Sequence, residues 1–387
     1  MDEVSFCEGT AEDFRKAVDL MFLDKKWLIS YTDFNAYKAG CSDGTCRFII
    51  SKNSKGPFFV QFCKSVVADG RFLLSHEHIL AEEAEKDFAE PFLIRSLETF
   101  FVALRLVWAH LGDFVGCISI AVLHPGLAFI DNFYTVPDYR GKGLGSKIFS
   151  LAVTDEIREK CNVGLHAVPE VSEYYKKKQD FSCFQICRLE VYHLTGFSEA
   201  IKKISDKKNF RILDARKAVD KVLAIDKLVW KRTRETFLNA WLNREETTAV
   251  DFRLDRCGAN EAGLKPFETT PKRNLLQKVQ VICDESATLG YGVLRKSCGI
   301  NSFIFGPIYL TQAEAFLPLM KATLTGLPED SKVEIRSPSF NSEKVCKMLE
   351  GFGTYKKEAE FITQFTKSLP DYNYDLVYCI TDTLTPV

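Results

Sequence analysis

Three glycines, Gly141, Gly143 and Gly145, alternate with cations in the stretch TVPDYRGKGLGSKIF, where Arg140, Lys142 and Lys147 surround them. Glycine loses more conformational freedom on folding than any other residue, and a turn needs only one. Three at alternate positions imply that something approaches this backbone closely, and the cations imply that it is an anion. Amides at the start of a helix lack intrahelical acceptors and sit at the positive end of the helix dipole. A diphosphate suits such a cradle; a purely structural strand-to-helix loop is the plainer alternative. Two nucleotide patterns fail. The P-loop spacing counted from Gly141 puts Ser146 where its second glycine belongs. The dinucleotide fingerprint needs its third glycine one residue later than Gly145.

The elements that must hold this loop are legible on either side of it. VGCISIAVL and LAFIDNFYTV read as two strands joined by a Pro-Gly hairpin turn. SKIFSLAVTDEIREKC continues as a helix of 3.6-residue period, followed by a strand (VGLHAVP), a short polar helix (EVSEYYKKKQDF) and a strand (RLEVYHLTGF). At the N-terminus, VSFCE is a strand and the acidic first turn of Glu12 and Asp13 opens an amphipathic helix. GPFFVQFCKSVVADGRFLLSH reads as strands, and the charged run ILAEEAEKDFAEPFLIRSLETFFVALRLV as helix with a solvated acidic face.

VPDYRGKGLGSKIF resembles the coenzyme A signature of the GNAT N-acetyltransferase superfamily in its Val-Pro lead, its Arg-Gly-x-Gly-x-Gly core and its place between strand and helix. The resemblance implies an α/β (α+β) fold, a mixed, largely antiparallel twisted sheet flanked by helices, binding acetyl-CoA as acyl donor without a metal. It also implies that Arg140, Gly141, Lys142, Gly143, Leu144, Gly145 and Ser146 hold the diphosphate. Backbone groups near Tyr134 and Val136 would then meet the pantetheine arm and acyl carbonyl, with the Val136 N–H as oxyanion donor. Such enzymes often protonate the departing thiolate from a tyrosine in a Tyr-x-x-x-Gly-Phe-like ending. Here SEYYKKKQDF offers Tyr175, with Tyr174 as its rival, and Asp180 stands where glycine is usual.

A general base stays unassigned. Asp131 is the one ionisable side chain on the preceding strand, yet counting in twos from Val136 puts Asn132 on its face unless a bulge inverts the count. His124, His166, His76 and His78 are the other candidates.

The 387 residues are long for one core and suggest two domains. From about residue 205 the order strand, hairpin, strand, helix, strand, helix, strand recurs without a glycine-rich loop and without histidine. This implies two related domains, 1–195 and 205–387, and not one large sheet. The second, with GYGVLRK and FIFGPIYL, is similar to the C-terminal domain of YitH-like tandem GNAT proteins. We read it as a degenerate copy that helps form the acceptor cleft.

A formal charge of −1 argues against nucleic acid or an acidic membrane as partner. The most apolar stretch is broken by Arg105, His110 and Asp113, as suits a buried helix and strand, not a membrane span. Thirteen cysteines without a CxxC pair read as reduced thiols in a cytoplasmic protein. The expected function is acetyl-CoA-dependent N-acetyl transfer to a small or peptide amine by direct attack in a ternary complex. A non-catalytic acetyl-CoA sensor is the alternative.

Overall fold

Residues 4–41, 46–53, 114–204, 210–243 and 277–387 are described by a computed structural model of the chain. The strands and helices expected within 54–113 lie outside the described residues. The first half runs β1 (Val4–Glu8), α1 (Ala11–Lys25), α2 (Asp33–Gly40), β2 (Cys46–Asn53), β3 (Phe114–His124), β4 (Leu127–Thr135), α3 (Leu144–Ala152), α4 (Asp155–Lys160), β5 (Asn162–Ala167), α5 (Pro169–Gln179) and β6 (Cys183–Thr195). The second half runs α6 (Ser198–Lys203), β7 (Arg211–Asp214), α7 (Val219–Trp230), α8 (Glu235–Leu242), β8 (Gln277–Cys283), β9 (Thr288–Lys296), β10 (Ser302–Leu310), α9 (Phe316–Leu324), β11 (Lys332–Pro338), α10 (Ser339–Leu349), β12 (Thr354–Phe365) and β13 (Val377–Cys379).

Local chemistry sets the ends of these elements. Thr10 and Asp13 form a reciprocal capping box at the start of α1. The helix expected over 146–161 breaks in two because Thr154 caps α4, its hydroxyl accepting from Ile157 N. Asp180 ends α5 at φ 61°, taking the left-handed position that glycine usually fills. Helices cover both faces of the first half. Ile118, Ile130, Ile148, Phe149 and Phe181 pack on one side, and Phe14, Val18, Met21, Phe48 and Tyr134 on the other.

The expectation of separate sheets needs correcting. Among the described residues one continuous sheet runs β1-β2-β3-β4-β5-β12-β6-β11-β10-β9-β8-β7, with β13 beside β10. It is mostly antiparallel, with β4–β5 and β10–β11 as parallel pairs. The halves exchange their last strands: β12 of the second half lies between β5 and β6, and β6 pairs with β11. Two sheets would each have kept an unpaired edge; the exchange abolishes both at the junction.

A fragment of residues 1–195 should therefore fail to fold as a stable monomer, since both neighbours of β6 come from the second half. Chromatography and thermal melting of the fragment check this. A cooperative monomeric melt would show that β6 can turn back onto β5.

The two parallel pairs mark a second difference between the halves. β4 and β5 pair only from Leu127–Ile130 with Asn162–Leu165, after which they diverge. β10 and β11 likewise pair from Ser302–Phe305 with Lys332–Ile335. In the second half that gap is filled by its own chain. β13 pairs Ile308 with Cys379 and Tyr309 with Val377, and Ile380 N donates to Arg336 O at 2.9 Å.

Candidate active site

The glycine-rich loop is open. Arg140 through Gly143, Ser146 and Lys147 are exposed. Gly141 and Gly143 take φ of 73° and 78°, and a Cβ built on either meets nothing within 4 Å. These two glycines serve the turn and leave its outer side clear. Gly145 does something else: a Cβ there would stand 3.3 Å from the Phe133 ring and 3.5 Å from Thr135 Oγ1, so this glycine lets α3 lie close over β4. Lys147 N closes the first helical bond, onto Gly143 O at 3.2 Å. The amides of Leu144, Gly145 and Ser146 precede that turn and, as at any helix start, have no intrahelical acceptor.

The cations divide. Lys142 and Lys147 lie over the rings of Tyr139 (5.1 Å) and Phe6 (4.4 Å). Arg140 is committed inward: its Nε donates to Thr135 O and its Nη2 to Asp24, both at 2.8 Å, with the guanidinium over the Tyr134 ring. Its side chain ties the loop to α1.

The Val136 amide, expected at the acyl oxygen, donates to Val115 O at 2.9 Å and so belongs to the β3–β4 ladder. Strand alternation turns Tyr134 the same way. Thr135, between them, directs its amide to the opposite edge, at a point beyond the last residue of β4 that pairs with β5.

The tyrosine pair separates by helical geometry. Tyr175 is buried, its ring among Phe149, Phe181 and Phe133 at centroid distances of 6.2, 6.0 and 6.5 Å. Burial pushes its hydroxyl well above the usual tyrosine range. Tyr174 faces outward, and its hydroxyl lies 3.0 Å from Ser146 Oγ, at the loop itself.

The bulge that decides Asp131 is present. Cys117 pairs with Tyr134 and Ser119 with Asp131, so Asn132 and Phe133 together oppose Ile118, with Asn132 at φ 52°. The extra residue turns Asp131 onto the α1–α2 face. There its Oδ2 accepts from Thr383 Oγ1 at 2.5 Å. Burial first, and the neighbouring Asp382 second, push its carboxyl up to about 6. Burial acts on Asp382 the same way, but Arg295 and Arg336 outweigh it and hold that group below the usual range.

The histidines divide less usefully. His166 Nε2 donates to Thr385 O and its Nδ1 accepts from Thr363 Oγ1, both at 2.9 Å. Both nitrogens are engaged, and burial lowers its pKa to about 4. His124 sits in the hairpin at the other end of β4, beside Arg232. His76 and His78 lie outside the described residues.

The profile of the acetyltransferase (GNAT) family matches residues 73–179, a span that contains the loop. That span carries a GNAT-type domain. An uncharacterized protein of Caenorhabditis elegans is 26% identical over 215 residues, 54% of this chain and 67% of its own length. A candidate acetyltransferase from Pyrococcus horikoshii shares the fold at 13% identity and a TM-score of 0.57, over 99% of this chain and 95% of that one. A tandem GNAT protein from the clavulanic acid biosynthesis pathway does so at 9% identity and a TM-score of 0.53, over 94% of this chain and 98% of that one.

In this chain the gap between β4 and β5 is where the halves meet. Asp382, Thr383 and Thr385, at the far end of the sequence, reach Asp131 and His166. Sequence reasoning missed them, since TDTLTPV has neither periodicity nor motif. It also missed Thr135, whose orientation follows from the register of the β3–β4 ladder. No cluster of metal-ligating residues occurs among the described residues, and no described helix is long and apolar enough to cross a membrane.

Proposed function

We propose that the chain is an acetyl-CoA-dependent N-acetyltransferase in which residues 1–195 form the catalytic GNAT domain and residues 205–387 a degenerate second copy. The observation that carries this reading is the open loop, with two left-handed glycines before an uncapped helix start. The amides of residues 141–146 hold the diphosphate, the Arg140 amide being donated to Pro137 O at 3.0 Å, with Lys142 and Lys147 screening its charge. The acyl arm lies along β4, and the Thr135 N–H, in place of Val136, donates to the thioester oxygen as negative charge develops.

In the ternary complex the amine nitrogen attacks the thioester carbon and the carbon–sulfur bond breaks. Asp131 takes the proton that the nitrogen loses. The thiolate regains a proton from the tyrosine pair of α5. Burial keeps Tyr175 in the protonated state a donor needs, and Tyr174, beside Ser146, is its rival on the open side. In the second half β13 occupies the corresponding gap, which supports the view that one half alone binds an acyl donor. Every described cysteine is unbridged, which suits a reducing cytoplasmic setting.

One observation favours a non-catalytic acetyl-CoA sensor instead: the Tyr175 ring is in the core. Two measurements separate these readings. Millimolar acetyl-CoA should raise the melting temperature while ATP and NAD leave it unchanged, because a ligand of the native state stabilises it. Thiol release across an amine panel should then be seen for the enzyme and be absent for the sensor. No thermal response to acetyl-CoA would overturn both.

A further inference from the structure

A cavity of about 10 Å³ lies between α1, α2, β4 and the end of the chain, with Asp33, Tyr37, Asp131, Asp382 and Leu384 in its wall. That space admits one group the size of a water molecule. Carboxylates outnumber guanidiniums around it: Asp33, Asp131 and Asp382 share Arg295 and Arg336, and Arg336 also serves Glu334. Arg295 is the cation nearest two of the three carboxylates, with Nη2 2.6 Å from Asp382 and Nε 3.3 Å from Asp33. Arg295 Nη1 donates to the carbonyls of Gly306 and Thr381. Arg336 donates to Glu334 at 2.7 Å and to Leu28 O, and its Nη1 reaches Thr383 Oγ1 at 3.4 Å. Asp131 has no salt bridge among the described residues; Thr383 is its side-chain partner.

A second observation points into the same space. Tyr37 is 2% exposed, and its hydroxyl has no hydrogen-bond partner among the described residues. A buried hydroxyl without a partner is costly, and one beside a cavity with carboxylates in its wall is explained by a guest that completes it. The carboxylates do not converge as a metal site would. The remaining walls are apolar or aromatic, including Phe14, Phe34 and Leu384. A small cationic head satisfies the carboxylates and the Tyr37 hydroxyl, and only a slim stem could leave a space of this size past the apolar walls.

We propose that this cavity is the seat of the acceptor's ammonium group, and that the acceptor is an unbranched aliphatic primary amine that enters as its cation. The seat draws on both halves, because Asp382 and Leu384 belong to the end of the second. The proposal rests on the acetyltransferase reading for the fate of the amine, but the binding can be measured without acetyl-CoA.

Full-length protein is titrated calorimetrically, and melted, with n-butylammonium, tert-butylammonium and n-butanol. Acetyl-CoA alone serves as a separate control. The n-butylammonium ion should bind saturably and raise the melting temperature, while the branched amine and the neutral alcohol should not. Tyr37→Phe should weaken n-butylammonium about tenfold without lowering the melting temperature of the free protein, an outcome that a merely structural tyrosine would not give. Asp131→Asn should abolish the amine response and leave the acetyl-CoA response intact. If no amine binds while acetyl-CoA does, the cavity holds water only, and this proposal falls without touching the donor loop. Equal binding of the branched amine would also overturn it. Amine binding without any acetyl-CoA response would support the seat and sink the acetyl-donor reading.

Discussion

Gly143→Asp should weaken acetyl-CoA at least about 100-fold by calorimetry while the protein stays folded. Gly143 is the residue before α3, at φ 78°, and an added Cβ meets no atom within 4 Å. Strain is therefore modest, about 1 kcal/mol for an aspartate in the left-handed region. The new carboxylate would stand at the mouth of the amide cradle. At about 4 Å from a diphosphate charge, and an effective dielectric of about 20, the repulsion is on the order of 4 kcal/mol, or roughly a thousandfold in Kd before salt screening. Gly143→Ala separates backbone strain from charge and should lose far less. An unchanged affinity in the aspartate variant would place the acyl donor elsewhere.

Asp131→Asn should lower kcat by about 10²- to 10⁴-fold, the usual worth of a general base, with acetyl-CoA affinity unaltered. The amide keeps the shape and the bond with Thr383 but cannot take a proton. The pH profile gives an independent readout. Asp131 accepts a proton only when ionised, and its carboxyl is pushed up to about 6. Wild-type kcat/KM should therefore rise with pH through about 6 and level off above it.

The groups around Asp131 do not confuse this window. His166 is held neutral by a pKa near 4, Cys117 is pushed up by burial, and Asp382 is held down against burial by Arg295 and Arg336. The limb near 6 should vanish in the asparagine variant. A full-activity asparagine variant with the same pH limb would remove Asp131 from the chemistry.

What was legible beforehand was local. The loop could be read because left-handed glycines, a helix start and adjacent cations all lie within seven residues, and each requirement acts on the residue that meets it. The Pro-Gly hairpin, the acidic first turn of α1 and the strand–helix order were legible for the same reason. Tyr175 and Tyr174 lay at the limit. Helical geometry puts neighbours on different faces, so an error of one residue in matching YYKKKQDF to the family ending exchanges a core ring for a surface hydroxyl.

The rest depended on partners far away in the chain. One extra residue at Asn132 turned Asp131 to the α1–α2 face, and whether a strand bulges is decided by the ladder it joins, not by its own letters. The orientation of Thr135 against Val136 followed from the same register. β6 and β12 look alike as sequence, and their exchange arose because pairing across the junction removes two exposed edges. The segment TDTLTPV carried no pattern at all. Its place beside Asp131 and His166 is a property of the assembled sheet, which brings residues about 250 positions apart within a hydrogen bond of each other. The sequence alone determined the open glycine turn before α3, because its geometry is backbone conformation over a few residues. Only the tertiary structure decided what faces it, because burial, charge pairing and strand register exist once distant segments have met.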